Sequence, residues 1–69
     1  MKNIALIDSR IKAGLTQVAV ASKAKISVLC YQRYEAGERK PRVDVAIRIA
    51  DALGTTVEAL FREDYTRSE

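Results

Sequence analysis

Apolar residues recur along this chain with the three- and four-residue spacing of amphipathic helices, and polar or glycine-containing turns separate the repeats. No stretch shows the two-residue alternation that is typical of a half-buried strand. The pattern predicts five helices, at about residues 3–13, 17–24, 28–36 and 44–53 and from about residue 57 onward. We therefore expect an all-α fold, a compact five-helix bundle.

Residues with strong preferences for helix ends mark the same boundaries. Gly14 and Gly54 suit the left-handed position that follows a helix. Thr16 and Ser27 suit the position before a helix, where a hydroxyl oxygen accepts a backbone N–H of the first turn. Asp44 suits the first turn of the fourth helix, because partial positive charge there stabilises a carboxylate.

The length and composition limit the chain to one small globular unit. A chain of 69 residues buries only about 60% of the surface that it exposes when unfolded, so it has room for one core. With 48% hydrophobic and 30% charged residues, the composition is globular rather than disordered. We expect a single domain over residues 1–64, followed by a frayed polar tail at residues 65–69.

Cysteine and histidine usage excludes several classes of protein. Cys30 is the one cysteine and there is no histidine, so we expect no internal disulfide, no zinc site and no cofactor. The chain also lacks paired carboxylates and a phosphate-binding glycine loop, so we expect that this protein is not an enzyme. The apolar run Ile4–Ile7 is too short for a signal peptide or a membrane span. We therefore expect the protein to lie in the cytoplasm and to have no membrane partner.

Basic residues are concentrated in the first two thirds of the chain. Residues 1–42 hold nine lysines and arginines against three acidic residues, a net charge of +6. Residues 43–69 hold three arginines against six acidic residues, a net charge of −3. This distribution fits a polyanionic partner for the first part, although an ordinary solvated surface explains the charges equally well.

Three segments in combination resemble the Cro/repressor (Xre-like) helix-turn-helix family. They are GLTQ at residues 14–17, YEAGERKP at residues 34–41 and IADALG at residues 49–54, and the resemblance covers about residues 6–61. It implies the lambda-repressor-like fold, with the second and third helices as a DNA-reading unit. Ala21 would be the small residue at which these two helices cross.

The resemblance also implies which residues contact DNA. Gln17 would contact a phosphate at the start of the second helix, and Arg39 and Lys40 would lie against the DNA backbone. Arg33 would contact a base, with a phosphate contact or a solvated side chain as the alternatives. The full expected set is Gln17, Ser27, Val28, Leu29, Gln32, Arg33, Arg39 and Lys40.

Val28 and Leu29 raise a separate question, because they place two large apolar side chains on the first turn of a short helix. One interpretation is that they face outward and bury the methyl group of a thymine in the major groove. The alternative, which we weigh mainly for Val28, is that the side chain packs back on the second helix. The sequence leaves both interpretations open.

Other positions are architectural or depart from the family pattern. Arg10 and Glu35 match an ion pair that the family uses to tie the first helix to the third. Lys25 replaces a frequent turn glycine, Tyr31 replaces an aliphatic residue, and Val18-Ala19 replaces a polar pair. The last change puts phosphate contacts of the second helix beyond Gln17 in doubt.

The resemblance implies a sequence-specific regulator of transcription that binds double-stranded DNA, with a repressor favoured. Such a protein would be bacterial or phage-encoded, would act at the nucleoid, and would bind DNA as a homodimer through Val57, Phe61 and Tyr65. The alternative is an antitoxin-like module that binds a protein partner first and DNA second. The net-acidic last third of the chain would serve that partner.

Overall fold

The chain forms five helices within residues 1–65, the part that the computed structural model describes; for residues 63–65 it describes only the course of the helix. They are α1 (Ile4–Lys12), α2 (Gln17–Ala24), α3 (Val28–Glu35), α4 (Val43–Leu53) and α5 (Val57–Tyr65). This part contains no strand, which confirms the predicted all-α fold. The domain boundary at residue 64 and the frayed tail stay predictions, and residues 66–69 lie outside the described residues.

Short polar side chains fix the starts of four helices. In each case a side-chain oxygen accepts the backbone N–H three residues further on, at 3.0–3.1 Å. The capping residues are Asn3, Thr16, Ser27 and Thr56. Thr16 and Ser27 were predicted, whereas α4 begins at Val43, one residue before Asp44, and has no side-chain cap.

Alanines and two tyrosines shape the core. Ala21 and Ala24 of α2 and Ala46 and Ala50 of α4 are buried, and α2 packs chiefly against α4 and α3. Small side chains let these helices approach closely, and the large ring of Tyr31 fills the remaining space. The buried set is Leu6, Val20, Ala21, Ala24, Tyr31, Tyr34, Ala46, Ile49, Ala50, Leu60 and Phe61.

Two turns around α3 require left-handed backbone. Lys25 ends α2 at φ 61° and ψ 44°, a conformation that costs an L-residue roughly 1–2 kcal/mol. Gly37 follows α3 at φ 75°, and a Cβ there would lie 1.5 Å from the carbonyl oxygen of Met1. The turn after α3 therefore has a glycine at the left-handed position, whereas the turn after α2 has a strained lysine there.

We predict that Lys25→Gly raises the free energy of unfolding by about 0.5–1 kcal/mol. Glycine removes the strain of the left-handed conformation, which is worth roughly 1–2 kcal/mol. This gain exceeds the cost of the greater conformational entropy of glycine in the unfolded chain, roughly 0.4–1 kcal/mol. Urea unfolding at pH 7 measures the change. Lys23→Gly is the matched control in α2, where glycine should destabilise by about 1 kcal/mol. A destabilised Lys25→Gly would contradict this account of the turn.

Candidate nucleic-acid interface

A buried carboxylate lies at the junction of the first three helices. Glu35 ends α3 and is 5% exposed. Its Oε2 accepts hydrogen bonds from Arg10 Nε and from the Tyr31 hydroxyl, both at 2.6 Å. Its Oε1 accepts a third hydrogen bond from Gln17 Nε2 at 2.8 Å. One carboxylate therefore connects α1, α2 and α3.

Arg10 completes the junction from the side of α1. Besides its bond to Glu35, its Nη1 donates to the carbonyl oxygen of Leu15 at 3.1 Å, in the turn that leads into α2. The structure thus brings together the Arg10–Glu35 pair that the sequence suggested. It adds Tyr31 and Gln17, two partners that the sequence did not suggest.

Burial and hydrogen bonding act in opposite directions on the charge of Glu35. Burial alone would raise the pKa of Glu35, but hydrogen bonds from Arg10, Tyr31 and Gln17 outweigh it and hold the pKa below its ordinary value of 4.5. The pKa of Tyr31 is raised, mainly by burial and to a smaller extent by the hydrogen bond to Glu35. Its hydroxyl therefore stays protonated and acts as a donor. The bond to Glu35 also raises the pKa of Arg10.

The lowered pKa gives this junction a defined dependence on pH. Because the folded-state pKa of Glu35 lies below the unfolded value, its contribution to stability is fully present above about pH 4.5. It is lost as the pH falls through the folded-state pKa. The junction is therefore intact throughout the neutral range.

A further hydrogen bond extends the network from the core to the surface. Gln32 of α3 is exposed, and its Nε2 donates to Gln17 Oε1 at 3.1 Å. Gln17 thus uses both ends of its amide, one on Glu35 and the other on Gln32. The phosphate contact suggested for Gln17 stays a prediction. Sequence reasoning missed the amide pair, because no motif marks two glutamines on different helices as neighbours.

The outer face of α3 carries most of the residues suggested for DNA contact. Leu29, Gln32 and Arg33 are exposed and lie three and four residues apart, which places them on one face. Leu29 is 55% exposed. Ser27 is exposed just before this face, where its side chain caps the helix.

Val28 does not share that face. Its side chain is half-buried and packs against the core, so it does not face fully outward as a groove-facing residue would. The apolar pair is therefore split: Val28 supports the packing of α3, and Leu29 alone projects outward.

Basic residues lie beside the exposed face in the loop between α3 and α4. Arg39 and Lys40 are both exposed, and Pro41 is buried and anchors the loop. Arg42 is exposed and pairs weakly with Asp44, at 3.9 Å. The loop therefore offers at least two exposed cations near the end of the helix that carries Arg33.

The expected dimer surface needs a correction. Phe61 is 2% exposed and belongs to the core, so its side chain is not available on the surface for the expected dimer contact. Val57 is half-buried and also packs against the core. The Tyr65 side chain lies outside the described residues.

The described residues offer neither a metal site nor a membrane span. They contain no group of three cysteine, aspartate or glutamate side chains placed to hold a metal ion. Between residues 1 and 65, no helix has the length and apolar composition needed to cross a membrane.

Helices α2 and α3, joined by a tight turn and presenting one exposed face of α3, form a helix-turn-helix. The family model described as helix-turn-helix matches residues 6–60, and the chain belongs to this family. It is similar to the cryptic phage CTXphi transcriptional repressor RstR of Vibrio cholerae, with 34% identity over 55 residues. That match covers 80% of this chain and 49% of the relative, so the chain spans about half of the relative's length.

We predict strong energetic coupling between Arg10 and Glu35. Removing one partner leaves the other charge buried and unpaired, so the effects of the two single variants should not add. A double-mutant cycle with Arg10→Met and Glu35→Gln, read by urea unfolding, should give a coupling energy above about 1 kcal/mol.

The exposed pair Asp8–Lys12 is the matched control for that cycle. Its atoms lie 3.1 Å apart, but both side chains are solvated, so the coupling should stay below about 0.5 kcal/mol. Additive effects of Arg10→Met and Glu35→Gln would show that the buried pair does not stabilise the junction.

Proposed function

We propose that this protein binds double-stranded DNA at specific sequences and regulates transcription as a repressor. The observation that carries this proposal is the exposed face of α3, held on the bundle by the buried Glu35 junction. An α-helix fits the major groove, where base pairs present distinct donors, acceptors and methyl groups. Membership of the helix-turn-helix family and the name of the similar phage repressor support the same function.

Affinity and specificity would come from different parts of this surface. Arg39 and Lys40 would neutralise phosphates, which gives sequence-independent affinity that falls with salt. Arg33 would donate to a guanine, whose O6 and N7 match the guanidinium fork. The concentration of positive charge in residues 1–42 supports this division.

Repression would follow from occupancy of the site. A protein that covers promoter DNA excludes polymerase without any catalytic step. We place this action in the bacterial cytoplasm, on nucleoid or phage DNA.

We predict that two chains bind each operator. One short helix reads only a few base pairs, which is too little for specificity in a genome. Two chains related by a two-fold axis would read half-sites about 34 Å apart. Native mass spectrometry of the complex with the selected duplex should show two chains for each duplex. One chain on a minimal asymmetric site would contradict a dimer.

We predict that Arg33 and the loop cations affect binding differently. Selection of sites from random duplexes first defines the operator. Arg33→Ala should then relax preference at one base pair, with a discrimination loss of about 1–3 kcal/mol. Lys40→Ala and Arg39→Ala should weaken all duplexes similarly. Each should also reduce the slope of log K against log salt by about 0.9 for every phosphate that the variant no longer neutralises.

The loop variants serve as matched controls for Arg33→Ala, since each removes one exposed cation. If Arg33→Ala weakens every duplex equally, Arg33 contacts phosphate and the assignment to a base is wrong. If the wild type selects no sequence from the random pool, the proposed function itself fails.

We predict that Leu29 recognises a thymine methyl group. A methyl group buried against Leu29 contributes on the order of 0.8 kcal/mol. Replacing that thymine with uracil should lower wild-type affinity about fourfold and leave the affinity of Leu29→Ala nearly unchanged. Val28→Ala is the control, because its half-buried side chain packs on the core and its response to uracil should match the wild type. If no operator thymine responds to uracil, Leu29 does not read methyl groups.

A further inference from the structure

Lys25 combines a strained backbone with a side chain that has no partner in the described part of the protein. Within that part it is the one residue other than glycine with a positive φ, at 61°. Its side chain is exposed and forms neither an ion pair nor a hydrogen bond with any described residue. Glycine would adopt the same turn without strain, so the turn itself does not require a lysine.

Backbone hydrogen bonds hold this turn in one conformation. The N–H of Lys25 donates to the carbonyl oxygens of Ala21 and Ser22, and the N–H of Ile26 donates to that of Ala21 at 3.0 Å. Ile26 is half-buried and packs against the core. The Cα–Cβ bond of Lys25 therefore starts from a fixed position and direction on the surface.

The charge around Lys25 is not offset by neighbouring carboxylates. Residues 9–34, which include α2 and most of α3, hold five lysines and arginines and no aspartate or glutamate. The acidic residue that follows, Glu35, is buried and already accepts three hydrogen bonds. The surface of these two helices is therefore complementary to an external polyanion.

Exposed cations lie at both ends of α3. Lys25 is in the turn before this helix, and Arg39 and Lys40 are in the loop after it. A helix of eight residues is about 12 Å long, which is about the width of the major groove between its two phosphate chains. The lysine before α3 and the cations after it are therefore too far apart to share one phosphate.

We propose that Lys25 contacts a DNA phosphate other than those contacted by Arg39 and Lys40, and that the strained turn is retained for this contact. The inference rests on the proposed DNA-binding function and deepens it. An ammonium group that neutralises a phosphate releases a counterion and raises affinity for every sequence alike. Lys25 thus lowers the stability of the free protein and raises its affinity for DNA.

The first test measures affinity for the selected operator as a function of salt, with Lys25→Gly and Lys25→Asn. Both variants remove the charge, and both residues tolerate a left-handed turn. Each should reduce the slope of log K against log salt by about 0.9. That change corresponds to a loss of about eightfold at about 0.1 M salt that vanishes toward about 1 M.

Two further variants are the controls for the charge. Lys25→Arg keeps the cation and should keep the wild-type slope. Lys12→Gln also removes one positive charge, but Lys12 lies on α1 and is paired with Asp8 at 3.1 Å, so the slope should not change. Asparagine at position 25 also separates the loss of charge from the greater flexibility of glycine.

The second test locates the phosphate. Each phosphate of the operator is replaced in turn by an uncharged methylphosphonate, and affinity is measured again. The wild type should be weakened at every contacted phosphate. Lys25→Gly should lose its sensitivity at one of these phosphates, and Lys40→Ala should lose its sensitivity at a different one.

Two outcomes would overturn this inference and leave the proposed function intact. In one, Lys25→Gly and Lys25→Asn bind the operator with the affinity and salt slope of the wild type, which would show that Lys25 is only solvated. In the other, Lys25→Gly and Lys40→Ala lose sensitivity at the same phosphate. If the wild type binds no duplex, the proposed function and this inference fail together.

Discussion

The arrangement of the first three helices depends on one buried carboxylate. Glu35 receives hydrogen bonds from Arg10, Tyr31 and Gln17, and these come from three different helices. A buried charge without partners is costly, and these three donors together offset the cost of burying the carboxylate. Because Glu35 belongs to α3 itself, the hydrogen bonds that join α1, α2 and α3 also fix the helix whose outer face is exposed.

Packing and turn geometry then determine which face of α3 is exposed. The alanines of α2 bring α3 and α4 close on one side, and Tyr31, Tyr34 and the half-buried Val28 direct the inner face of α3 to the core. The left-handed turn at Lys25 joins the two helices within a few residues. The side chains left outside, Leu29, Gln32 and Arg33, are the ones available to a groove.

The sequence predicted the helices well because their signals are local. Caps such as Thr16 and Ser27 and the glycine after α4 act within one turn, and the apolar spacing was sufficient to predict five helices. The sequence was less informative where the outcome depends on distant contacts. The half-buried position of Val28 does not follow from helical spacing alone, because it depends on where the other helices lie.

The two hydrogen bonds that connect Glu35 to Gln17 and Gln17 to Gln32 are a stronger example of the same limit. Gln17 and Gln32 are fifteen residues apart, and only the folded crossing of α2 and α3 brings them together. A resemblance assigns Gln17 a role toward DNA, but it does not indicate the internal partner that orients its amide. The contact between these two amides therefore follows from the folded structure and not from the sequence.

The most direct test of this account is an NMR titration of the free protein that follows the Glu35 carboxyl carbon together with the side-chain amides of Gln17 and Gln32. We expect one shared midpoint below pH 4.5, because the carboxylate is held ionised by its three donors and orients both amides. A Glu35 midpoint at or above 4.5, or glutamine amides that do not respond when Glu35 is protonated, would contradict the central role of this carboxylate.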